Sequence, residues 1–171
     1  MSRIARIVAF GFGLAGAVVA SQLPEYSQQY RQRLGGAIDV LTRVLQRFDA
    51  DAESHGETRE GAILRLRGNP DDLVSRQGVA MQANAERLAR LRAHRDSLAQ
   101  AGPFLRIALM ARDGDTDVME AAYRDFEPAV PVTEEGIVAA AGGFVAGWGG
   151  LLVLTGFVRS LRRPRPRPVR A

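Results

Sequence analysis

Apolar positions fall into three regimes along this chain. Ile7 to Leu23 and Gly136 to Val158 are almost unbroken apolar runs of 17 and 23 residues. Between them, apolar residues recur every three or four positions, the period of a helix with one buried stripe. Tyr26, Tyr30, Leu34, Ile38, Leu41, Leu45 and Phe48 form one stripe; Val74, Met81, Leu88, Leu91 and Leu98 form another, interrupted by Gln77, Asn84 and Arg95. No segment alternates apolar and polar residues with period two, so no strand is expected.

Turn and cap chemistry divides the middle region. Pro24 lacks an amide hydrogen, so a kink or restart is expected after the first run. Gly35-Gly36 weakens the helix that follows, and His55-Gly56 interrupts it. A short helix is predicted from Thr58 to Arg67. Asn69-Pro70-Asp71-Asp72 then reads as a helix start, with Asn69 as the cap and Pro70 in the first turn. That helix should run to Ala101, where Gly102-Pro103 stops it. Shorter helices are predicted over Phe104–Arg112 and Asp117–Phe126, before a linker containing Pro128 and Pro131. Segments 24–52 and 70–101 can pair as an antiparallel hairpin or coiled coil, each about 40–50 Å long.

The two apolar runs are long enough to cross a bilayer, the first at the lower limit and the second with some tilt. Thr133 is a suitable cap for the second run, and Glu134 and Glu135 suit its N-terminal dipole. The predicted fold class is all-α: two transmembrane helices flank an extracytoplasmic helical hairpin or bundle. The corresponding segments are 1–23, an N-terminal transmembrane helix; 24–133, a periplasmic helical region; 134–158, a C-terminal transmembrane helix; and 159–171, a basic proline-rich cytoplasmic tail. The N-terminal pattern also fits a secretory signal peptide with a permissive site at Val18-Val19-Ala20. Retention is the expectation, because Ala5, Ala9, Gly13, Ala17 and Ser21 form a small-residue stripe suited to helix packing in lipid. Ala139, Gly143 and Gly147 repeat that spacing in the second run. Gly13, Ala17, Gly143 and Gly147 are therefore the candidate helix-packing residues.

Charge placement sets the expected orientation. The net charge is +4, and lysine and cysteine are absent. Between Pro24 and Glu135, 15 arginines meet 19 acids, so the positive excess lies outside the apolar runs. This argues against a nucleic-acid partner and places both termini in the cytoplasm of a bacterial inner (cytoplasmic) membrane by the positive-inside tendency. The expected partners are the lipid bilayer and other membrane proteins or a second copy of the chain.

The block Glu25-Tyr26-Ser27-Gln28-Gln29-Tyr30-Arg31-Gln32-Arg33 is the best candidate for partner or headgroup binding. Glu25, Tyr26, Gln28, Gln29, Tyr30, Arg31 and Arg33 supply rings, amides and charges at an expected membrane surface. Catalytic chemistry is harder to find. His55 and His94 lack zinc-like spacing and read as surface residues. Gly11 to Gly16 spells Gly-x-Gly-x-x-Gly but follows no strand. Asp113, Asp115 and Asp117 alternate like calcium ligands, yet Val118 and Arg124 occupy the positions that need glycine and glutamate, so a solvated loop is expected. No catalytic, cofactor or metal residue is assigned.

Ser21-Gln22, Pro24-Glu25, Gln28-Gln29-Tyr30, Gln32-Arg33-Leu34 and Gly35-Gly36-Ala37, directly after an apolar run, resemble a family of bacterial inner-membrane proteins known only as a domain of unknown function. Ala101-Gly102-Pro103-Phe104 and the late apolar run fit as well. The resemblance implies a two-span topology and a helical middle region, and brings no catalytic residue. The expected role is non-enzymatic: a scaffold, accessory subunit or assembly factor of a membrane complex. The alternative is a small oligomeric transporter or channel component, against which stands the lack of charge inside either run.

Overall fold

The computed structural model describes residues 3–126, 128 and 133–161, and these residues contain six helices and no strand. The helices are α1 (Arg3–Ser54), α2 (Arg59–Arg67), α3 (Asp72–Gln100), α4 (Pro103–Asp113), α5 (Thr116–Arg124) and α6 (Glu134–Leu161). The expected Pro128–Pro131 linker and the basic tail beyond Leu161 lie largely outside the described residues. Two compact units are present: residues 1–25 with 127–171, and residues 26–126.

In the first unit, the N-terminal part of α1 meets α6. Both helices are long and apolar enough to cross a membrane, and none of the most apolar window of α6 is buried. Large apolar side chains point outward, among them Val18 at 65% and Val153 at 74% exposure. The start of α6 follows its cap chemistry. The amide of Gly136 donates to the Thr133 hydroxyl at 3.1 Å, and that of Ile137 to the Thr133 carbonyl at 3.0 Å.

The restart expected at Pro24 does not occur; Pro24 lies inside α1. Proline withdraws one helical hydrogen bond. A restart would leave several carbonyls and amides unpaired and need a new helix nucleus. Continuing the helix is the smaller loss. Near the proline, the Ser21 hydroxyl donates to the Val18 carbonyl at 2.8 Å.

In the second unit, the stripe of α1 packs on that of α3. Tyr30, Leu34, Ile38 and Leu45 form one core with Leu88, Leu91 and Leu98, and Met110, Val118 and Ala122 close it from α4 and α5. Gly35 and Gly36 lie within unbroken helix. The interruption expected at His55-Gly56 is present, and Gly56 has a φ of +70°, which a side chain would strain. The Thr58 hydroxyl then caps α2 by accepting from the Gly61 amide at 3.1 Å. Helix α2 folds back onto α3 at Gly78, where a Cβ would stand 2.7 Å from the Arg67 nitrogen.

The start of α3 differs from the expectation. Asp71, not Asn69, is its cap and accepts from the Leu73 amide at 2.9 Å. Asn69 instead accepts from the Asp71 amide at 2.9 Å, forming a turn before Pro70 completes the approach. Either residue type can cap; here the Asn69 side chain is engaged by the Asp71 amide, and the Asp71 carboxylate takes the Leu73 and Val74 amides.

Candidate functional site

Two places bring sequence-predicted residues together, one in each unit. In the first, Gly13, Gly16, Gly143 and Gly147 sit where α1 meets α6. A Cβ at Gly13 would stand 2.8 Å from the Phe144 ring and 3.1 Å from the Trp148 Cβ. A Cβ at Gly147 would stand 2.5 Å from the Phe12 carbonyl oxygen. Gly16 and Gly143 are closer still, each turned to the other's backbone carbonyl. Ala17 is half-buried, and Ala9 and Ser21 are buried. Phe10 and Phe144 meet edge to face at 5.5 Å, with Trp148 next along α6. Lacking side chains, the glycines let the two backbones come into contact.

In the second unit, the polar block of α1 divides by face. Tyr26 and Tyr30 turn inward. The Tyr26 hydroxyl donates to the Met119 carbonyl at 2.8 Å, and its ring meets Phe126 edge to face at 5.7 Å. Tyr30 is fully buried, and its hydroxyl accepts from the Asp115 amide at 3.1 Å. Burial raises the pKa of both phenols, so they serve as neutral hydrogen-bonding groups. Arg33 is paired with Asp125. Gln29 is half-buried, and Glu25, also half-buried, belongs to the first unit.

Gln28 and Arg31 point elsewhere. With Gln32 of α1 and Arg95 of α3 they line an open groove of about 490 Å³, with Leu34, Leu98 and Ala99 completing its wall. Its chemistry is two guanidinium groups and two carboxamides beside an apolar surface. Such a set can take up an anionic, hydrogen-bond-accepting group. Arg95 was visible in the sequence as an interruption of the α3 stripe. Its partnership with Arg31 was not, because sequence spacing does not give the register between two helices.

A second cluster escaped the sequence reading. Arg87 of α3 bridges Asp115 at 2.8 Å and Asp117 at 2.9 Å. Asp115 also caps α5, accepting from the Val118 amide at 3.2 Å. Asp113 pairs with Arg112 at 2.7 Å. The aspartate alternation expected to be a solvated loop is thus tied down by arginines and by a helix cap.

His94 likewise departs from the surface position expected of it. Its ring packs edge to face on Tyr30 at 5.8 Å, and its Nε2 is buried without a hydrogen-bond partner among the described residues. Burial holds its pKa below the usual imidazole value, opposed by the carboxylates of Asp113 and Asp115. His55 is exposed. Among the described residues, no three His, Asp or Glu side chains are grouped to hold a metal ion.

A family model described as "Protein of unknown function (DUF2937)" matches residues 2–164, and the chain belongs to that family. No curated protein matches the chain, and no solved structure does.

Proposed function

We propose that this member of a family of unknown function is a two-span protein of the bacterial inner membrane, serving as a non-enzymatic scaffold, accessory subunit or assembly factor. The carrying observation is the combination of inward glycines and outward apolar side chains on α1 and α6. At about 25 cal/mol per Å² of apolar surface, such exteriors are costly in water and at home in lipid. The tight backbone contact supplies the packing that holds helices together where water provides no hydrophobic drive.

The arginine distribution supports an orientation with both ends cytoplasmic and residues 26–126 on the opposite side. In that arrangement the helical middle region offers a surface to partners, and its polar face is free of the packing that occupies Tyr26 and Tyr30. Carbonate washing and reporter fusions test the reading. The protein should remain in the membrane pellet. A fusion near Gly56 should report the extracytoplasmic side, and fusions at either end the cytoplasm. Release by carbonate, or a cytoplasmic signal at Gly56, would overturn it. Mild-detergent purification with mass spectrometry should then recover stoichiometric membrane partners.

A further inference from the structure

We infer that the groove between α1 and α3 binds the phosphate of an anionic phospholipid headgroup, with Arg31 and Arg95 as its cationic ligands. This rests in part on the membrane reading above, since that reading supplies the lipid. The groove brings together two guanidinium groups that internal acids compensate little. Arg33, Arg59 and Arg87 are paired with acids on other elements. Among the described residues, Arg31 has no such acid, and Arg95 has only its sequence neighbour Asp96, at 3.4 Å. An anion placed between them would gain charge-assisted hydrogen bonds without displacing a strong internal pair.

The remaining lining favours an amphiphile over a bare ion. Gln28 and Gln32 offer amide donors and acceptors suited to a polar headgroup. Leu34, Leu98 and Ala99 offer apolar surface, for which inorganic phosphate has no use. The volume of about 490 Å³ also lies within the range of small-molecule sites and is far larger than one phosphate needs. In the chain, Gln28 and Arg31 follow the end of the first apolar run at Leu23 by five and eight positions.

The test uses the purified full chain in a neutral detergent, titrated with short-chain phosphatidylglycerol, short-chain phosphatidylcholine or inorganic phosphate. Binding is read by thermal shift and by native mass spectrometry. Phosphatidylglycerol should bind most tightly. Arg31→Gln and Arg95→Gln should each weaken it about threefold to tenfold, the scale of one charge-assisted hydrogen bond at a partly exposed site. Arg43→Gln, an exposed change outside the groove, should leave it intact, and unchanged far-UV circular dichroism would show that the variants fold. Equal binding of the two lipids, an equal response to inorganic phosphate, or full binding by the Arg31→Gln/Arg95→Gln double variant would overturn the proposal. Because the short-chain lipid is added from solution, this result does not depend on whether the chain spans a membrane. Carbonate release would defeat the membrane reading alone.

Discussion

Tyr30 shows how one position can serve both packing and polarity. Its ring fills the core beside His94, and its hydroxyl satisfies the Asp115 amide. Tyr30→Phe keeps the ring and strands that amide, and should cost about 1–3 kcal/mol, measured by thermal or denaturant unfolding in detergent. Tyr30→Ala should cost about 3–5 kcal/mol through the added cavity. His94 gives a prediction with a definite sign. Its folded pKa lies below the ordinary value, so the unfolded chain takes up a proton that the native chain resists. The groups facing it are Tyr30 on α1, Asp113 at the end of α4 and Asp115 at the cap of α5. Stability should therefore fall as pH drops below about 6.5, and level off once the folded histidine is also protonated. His94→Gln should flatten that dependence between pH 5 and 7, whereas the exposed His55→Gln should not. A wild-type midpoint that is flat across the interval would count against this account.

At the scale of elements, the glycines of α1 and α6 make contrasting predictions. Gly16→Leu and Gly143→Leu would place side chains against a facing backbone and should destabilise the pair by about 1–3 kcal/mol or more. Gly11→Leu and Gly150→Leu meet open space and should be tolerated. Thermal midpoints in detergent would separate the two classes; equal losses in both would mean that the contact does not hold the helices. A four-residue stripe picks out Gly13 and Gly143 in the sequence but passes over Gly16. A helix turns once in 3.6 residues, so a packed face takes in positions three apart as well as four. The α1 and α3 stripes were legible because they are long and periodic. The cap of α3 was not settled by composition, since Asn69 and Asp71 are both good caps and local geometry chooses between them. The continuity at Pro24 was hidden for a related reason. Proline signals one lost bond, while the cost of ending a helix depends on everything that follows.

For the whole molecule, the sequence revealed the helical class and the two apolar runs. It did not reveal which polar residues would meet. Arg87 and Asp115 are 28 positions apart, and Arg31 and Arg95 are 64. No spacing rule reaches across helices whose register is set by core packing. Orientation belongs to this scale too. Arg162, Arg163, Arg165, Arg167 and Arg170 lie outside the described residues, but their charges enter the proposed topology through the sequence. Replacing all five with glutamine should produce a mixed population in which part of the protein reports its C-terminus on the wrong side. Reporter activity at Ala171 would measure it, and an unchanged signal would show that these five arginines do not set the orientation.

The edge-to-face pair of Tyr26 and Phe126 joins the first and last residues of the helical unit 26–126. Arg33 and Asp125 fasten the same ends a second time. A segment whose entrance and exit lie side by side can be moved as a cassette. It could be grafted between two neighbouring helices of another protein without spreading them. It also tolerates a change in where the chain begins. Joining residue 126 to residue 26 through a short glycine-rich linker and opening the exposed turn at Gly56 should give a permuted domain that keeps its helical content. Circular dichroism and cooperative unfolding of that permutant would show whether the closure is built into the unit itself.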